Sequence, residues 1–94
     1  MIYDVRLAPR AWRDVARLVD FLAPKSRRAE AKARAVLWTA IGSLDRFPER
    51  GAPTSVEHVR ALFIPFGRGG YIIKYLVEDD VVAILRIFHS LEER

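Results

Sequence analysis

The chain opens on a two-residue alternation. Ile2, Asp4 and Arg6 stand against Tyr3, Val5 and Leu7, which predicts a short strand over Ile2–Leu7 with one buried face. The period then lengthens. Trp12, Val15, Leu18, Val19 and Leu22 recur at helical spacing behind Pro9, whose missing N–H costs nothing in a first turn. A helix of about fourteen residues follows from that spacing, with Arg10, Arg13, Arg17 and Asp20 turned to water. Pro24 ends it, and Ser26 is placed to cap a second helix over Arg27–Arg46. The apolar side of that helix is Ala33, Val36, Leu37, Ala40, Ile41 and Leu44, and Gly42 weakens it or marks a close contact. Small alanines at 29, 33 and 40 allow close approach to the first helix, so the pair is expected as an antiparallel hairpin with Trp12 and Trp38 on internal faces.

Phe47–Ser55 holds Pro48, Gly51 and Pro53 and reads as a connecting loop. Beyond it the two-residue period returns. Val59, Ala61 and Phe63 alternate with Arg60, Leu62 and Ile64 until Pro65, which is expected to end the strand at an edge or bulge. Gly67, Gly69 and Gly70 supply a turn, Tyr71–Val77 a further strand, Glu78–Asp80 a tight turn, and Val81–His89 a last strand antiparallel to the one before. The order strand, helix, helix, strand, strand, strand predicts an α+β fold. A helical hairpin should cover one face of a curled antiparallel sheet of about four strands. The other face stays partly open, a concave polar surface where binding is expected.

Composition adds bounds. Ninety-four residues, 51% of them hydrophobic, fit one domain spanning 1–94. A domain this small has a modest core, so a partner that binds the folded form can add much of its stability. Sixteen Lys and Arg against twelve Asp and Glu give a net charge of +4, which favours acidic partners or phosphate backbones. The excess sits in residues 1–50, with eleven basic and six acidic side chains. With no cysteine, disulfides and thiolate chemistry are excluded, and a reducing compartment suits the chain. No run approaches the roughly 20 apolar residues of a membrane span and no signal-peptide pattern opens the sequence, so a cytoplasmic protein is expected.

Polar residues set into apolar strands carry the functional candidates: Arg60, Lys74, Arg86 and His89, with Arg68 at the turn between strands. Each has a structural reading beside the functional one. Arg60 and Arg86 can pair with Glu57, Asp4 or other carboxylates of the sheet, and a lone histidine at a strand end more often makes ordinary hydrogen bonds than shuttles protons. His58 beside Glu57 makes a weak metal case, since two histidines show no ligand spacing; neither metal nor cofactor is expected. The glycines around Arg68 lie between strands, with no following helix N-terminus to focus charge, so they read as hairpin geometry rather than a phosphate cradle. Tyr71 and Tyr75 share a strand face and read as core.

Val59-Arg60-Ala61-Leu62, Phe63-Ile64-Pro65-Phe66-Gly67, Gly70-Tyr71-Ile72-Ile73-Lys74-Tyr75 and Val82-Ala83-Ile84-Leu85-Arg86-Ile87-Phe88-His89 together resemble the C-terminal half of ParE-like members of the RelE/ParE superfamily. The N-terminal half resembles it through the opening strand, the helix with Trp12 and Asp14, the Phe21-Leu22 close and the passage Leu44–Gly51. The resemblance spans nearly the whole chain. It implies the toxin of a type II toxin–antitoxin pair, of the kind linked to plasmid stabilisation, neutralised by a cognate ParD-like antitoxin through a flexible C-terminal segment. Toxins of the ParE branch act on DNA gyrase; those of the RelE branch cleave messenger RNA on the ribosome. RelE-like nucleases carry an arginine after the Gly-Tyr that corresponds to Gly70-Tyr71, where this chain has Ile72. They also place a basic residue and a tyrosine near the C-terminus, which here reads Ser90-Leu91-Glu92-Glu93-Arg94. The resemblance therefore implies a non-enzymatic gyrase-binding toxin, and the charges set into or between its apolar strands, Arg60, Arg68, Lys74, Arg86 and His89, are the expected target surface. A ribosome-dependent endoribonuclease and an inactive antitoxin-binding relative are the alternatives.

Overall fold

A computed structural model describes residues 1–92 of the chain. Glu93 and Arg94, part of the C-terminal stretch compared above, lie outside the described residues. Strand β1 spans Asp4–Leu7, helix α1 Pro9–Leu22 and helix α2 Arg27–Ser43; a short 3₁₀ turn at Pro48–Arg50 leads to β2 (Ala52–Pro53), β3 (Val59–Phe66), β4 (Gly69–Glu78) and β5 (Val81–His89). The strands form one sheet in the order β1-β5-β4-β3-β2. Among the described residues no helix is long and apolar enough to cross a membrane.

Both helices begin where the sequence places them. Pro9 opens α1, and the Ser26 side chain accepts from the Ala29 N–H at 3.1 Å to cap α2. α2 stops at Ser43 rather than Arg46 because Leu44, Asp45 and Arg46 donate to the carbonyls three residues back, tightening the chain out of the α-helix. The apolar stripes meet as expected. Val15, Leu18 and Val19 of α1 and Ala33, Leu37, Ala40 and Ile41 of α2 join Leu62, Tyr71, Ile73, Tyr75, Val82, Ile84 and Ile87 of the sheet in one buried cluster. Trp12 departs from expectation. It is 55% exposed and packs against Trp38 of α2, with ring centroids 5.3 Å apart, outside the main core.

The sheet departs from expectation in three ways. It has five strands, since Ala52–Pro53 within the expected loop pairs with Arg60–Ala61. It is mixed rather than purely antiparallel, because β1 runs parallel to β5, with Asp4 beside Val81 and Leu7 beside Ile84. No turn signal announces this contact between the two ends of the chain, so local pattern could not reveal it. Finally, β3 continues through Pro65 to Phe66. Beyond Ala61 its outer side has no neighbouring strand, and an edge tolerates a residue without an N–H. The β3–β4 hairpin closes on Gly67, whose φ of +64° an L side chain resists.

Candidate functional site

The helical hairpin covers one face of the sheet and leaves the other open. Register places Phe63, Ile72 and Phe88 in one row across the open face of β3, β4 and β5, and Ala61, Lys74 and Arg86 in the next. Phe63 is exposed, and Lys74 Nζ and Arg86 Cζ lie 5.8 and 4.7 Å from the centroid of the Phe88 ring. Two cations over an aromatic face make a surface suited to anions and flat rings. A β-bulge creates this arrangement. Pairing slips between Lys74 and Tyr75, so Lys74 faces Arg86 while Tyr75 faces Ile84, and Leu85 is the extra residue.

Arg86 is not free for a target, however. Its Nε and Nη2 donate to the Asp14 carboxylate at 2.8 and 3.2 Å, and the same carboxylate accepts from the Ile87 N–H at 2.8 Å and from Arg17 Nη2 at 3.1 Å. Asp14 is only 4% exposed. Burial works to raise its pKa, but the hydrogen bonds from Arg86, Ile87 and Arg17 outweigh that and hold the carboxyl below the usual aspartate value. The Asp14 hydrogen bond in turn raises the Arg86 pKa. The structural reading of Arg86 therefore holds with a different partner: Asp14, rather than Asp4 or Glu57. Asp14, on a helix, is not among the candidates that the strands supply. Its signal was present, since it keeps helical phase with buried Ala11 and Leu18 and so puts a carboxylate on the core side of α1.

Arg68 and His89 belong to a second place. A mostly apolar cleft of about 740 Å³ lies between α1 and the sheet, walled by Leu18, Phe21, Leu22, Phe66, Tyr71 and Leu91, with Arg68, Arg17 and Glu92 at its polar margin. His89 stands edge-on to Tyr71, centroids 5.4 Å apart. Its Nδ1 accepts from the Leu91 N–H at 3.2 Å, which leaves Nε2 to donate to the Phe66 carbonyl at 3.2 Å. Both ring nitrogens are thus occupied by backbone, as a structural histidine's would be. Burial, and then the negative charge of Glu92, pushes the Tyr71 phenol up. Glu92 accepts from Arg17 and from the His89 N–H and so ties the C-terminal turn to α1.

Arg60 stands apart from both. Its Nη1 donates to the Gly51 and Glu49 carbonyls at 2.7 and 3.3 Å, at the rim of a polar cleft of about 410 Å³ that also holds Tyr3, Glu57 and His58. Glu57 lies 3.4 Å from His58 rather than on Arg60. The five candidates are therefore divided: Lys74 and Arg86 share the open face, Arg68 and His89 the apolar cleft, and Arg60 neither. Among the described residues no three His, Cys, Asp or Glu side chains gather as a metal site.

Comparison with known proteins gives a consistent picture. The family model described as the ParE toxin of the type II toxin–antitoxin system, parDE, matches residues 5–94. Toxin RelE1 of Caulobacter vibrioides is 37% identical over the full length of both chains, and Toxin RelE3 of the same organism is 36% identical over 97% of this chain and 98% of its own. Among solved structures, the toxin–antitoxin complex RelBE2 from Mycobacterium tuberculosis superposes with a TM-score of 0.66 at 31% identity, covering 98% of this chain and 95% of that one. The chromosomal ParDE system from P. aeruginosa gives a TM-score of 0.76 at 21% identity, covering 94% and 96%, and shares the fold.

Proposed function

The chain belongs to the ParE toxin family of type II toxin–antitoxin systems, and from that premise we propose that it acts in the cytoplasm by binding a protein target, DNA gyrase, rather than by cutting RNA. The observation that carries this reading is the division of its candidate residues. Cleavage at a 2′-hydroxyl needs a base, an acid for the leaving oxygen and a cation on the phosphate within one site. Here His89 is occupied by backbone groups in the cleft, and Arg86 is held by Asp14 at the edge of the open face. Of the five candidates, Lys74 is left as an exposed cation on the open face, beside the Phe63–Ile72–Phe88 row. A cation among aromatic and aliphatic side chains is what a protein partner's acidic, partly apolar surface would engage.

The neutralising partner we propose is a cognate, ParD-like antitoxin whose flexible segment folds into the apolar cleft. Leu18, Phe21, Leu22 and Leu91 offer anchors for apolar side chains, and Arg17 and Arg68 offer charge to acidic ones. A second reading, ribosome-dependent messenger RNA cleavage, is favoured by the RelE names of the Caulobacter relatives and by aromatic rings on the open face that suit unstacked bases.

The deciding experiment adds purified toxin to gyrase in a supercoiling assay, with and without antitoxin, beside ribosome-loaded messenger RNA. Dose-dependent loss of supercoiling that antitoxin relieves, with RNA intact, is expected; Lys74→Glu should reduce it at least tenfold while antitoxin binding persists. Codon-specific RNA cuts with normal supercoiling would replace this reading with the second. Neither effect, with antitoxin still bound, would mark an inactive relative.

A further inference from the structure

Four of the eleven basic residues in the first half of the chain lie close together on one exposed surface. Arg27, Arg28, Lys32 and Arg34 fall within the first eight residues of α2, and all four are exposed. Only Glu30 opposes them, partly buried and 3.7 Å from Arg34. Among the described residues no carboxylate lies within ion-pair distance of Arg27, Arg28 or Lys32. Helix stability does not explain the placement. Arg27 and Arg28 occupy the first turn, where the helix dipole is positive and disfavours cations. These residues also stand outside the open sheet face and the apolar cleft, so their charge serves neither.

We propose that the outward face of the first two turns of α2 is a contact surface for duplex DNA. The residues between the cations select that partner. Ala31 and Ala35 are exposed there and no large apolar side chain accompanies them, so a protein partner would find charge without the buried anchors that make protein interfaces stable. Phosphates need no such anchors. Nor do the first two turns of α2 themselves hold an aromatic ring, as a single strand would require for base stacking; the exposed Phe21 ring at the end of α1 is covered by Lys25. The methyl side chains leave the helix slim. The major groove of B-DNA, about 12 Å wide, admits a helix about 10–12 Å across, whereas the deep, narrow major groove of an RNA duplex does not.

The test is fluorescence anisotropy of the purified chain on a labelled duplex DNA of arbitrary sequence, read between 50 and 200 mM salt. Four phosphate contacts predict a slope of log affinity against log salt of about −3.6, a loss of roughly 150-fold across that range. Arg28→Gln with Lys32→Gln should halve the slope to about −1.8 and the loss to roughly twelvefold. The control is Arg10→Gln with Arg13→Gln, which removes the same formal charge from the start of α1. The Trp12–Trp38 contact puts that turn beside the far end of α2. Equal weakening by the control pair would mean that net charge alone is at work, and would overturn the assignment. Tighter binding of duplex RNA or single-stranded DNA than of duplex DNA would overturn it as well. Circular dichroism of each variant confirms that the helices persist.

Discussion

The two edges of the sheet are each held by one buried polar side chain, one charged and one neutral. On the β5 side, β1 pairs only as far as Ile84, and α1 takes over from there. Asp14 accepts the Ile87 N–H and Arg17 donates to the Ile87 carbonyl at 3.3 Å, so a helix supplies the hydrogen bonds that a longer β1 would have made. On the β3 side, the Tyr75 hydroxyl accepts the Gly51 N–H at 2.8 Å and donates to the Pro48 carbonyl at 2.7 Å, which fastens the turn before β2 to the middle of the sheet. A Cβ at Gly51 would come within 2.7 Å of that hydroxyl and 2.9 Å of the Ala61 backbone, so glycine is needed for the approach. The charged anchor recruits Arg86 and thereby shapes the open face; the neutral anchor stays private to the core. An ionised group must be paired to be buried, and its partner reaches the surface.

That contrast can be broken at either end. Asp14→Ala should have the largest effect, a loss of about 3 kcal/mol in urea unfolding, because it orphans the Ile87 N–H and unpairs Arg86 together. Asp14→Asn, which keeps an acceptor oxygen, should lose less. Tyr75→Phe should cost about 2 kcal/mol, since two buried backbone groups lose their partner without any change of charge.

The dependence on pH should separate the two anchors further. Asp14 has a lowered pKa when folded, so its stabilisation is complete above the unfolded value of about 3.9 and is lost as pH falls below that. Tyr75 is pushed up from 10.0, chiefly by burial, so its contribution is complete below that value and is lost as pH rises beyond it. Unfolding midpoints measured across pH should show Asp14→Asn flattening the acid limb alone. Tyr75→Phe should flatten part of the alkaline limb, the buried Tyr71 retaining the rest. The smallest effect belongs to Arg17→Ala, about 0.5 kcal/mol, because that guanidinium is 43% exposed and its pairs are screened by water. A loss there as large as that of Asp14→Ala would move the weight of the β5 edge from the carboxylate to the C-terminal turn that Arg17 holds through Glu92.

Periodicity alone was enough to locate the helical hairpin and the three long strands, because each element carries its own apolar face and its own end signals. Pro9, Pro24, Ser26 and the glycines at 67–70 mark boundaries locally. The same reading put Tyr71 and Tyr75 in the core, where both are buried, Tyr71 against the Phe66 and His89 rings and Tyr75 with its hydroxyl hydrogen-bonded to the Pro48–Gly51 turn. It placed Arg60, Arg86 and His89 correctly within the β3 and β5 strands, but gave no means of telling which would be consumed by neighbours. Those neighbours lie far away in sequence: Asp14 is 72 residues from Arg86, and Phe66 is 23 from His89.

What the sequence determined by itself is the two helices, the opening strand and the three long strands, most of the core stripe of each, and the excess of positive charge in its first half. The tertiary structure decided that the first and last strands run side by side, that β5 bulges at Leu85, and that Asp14 meets Arg86 there. Local pattern reports which way a side chain faces. Whether a charge on that face is free or spent depends on a partner brought in by packing, and no window of sequence contains both.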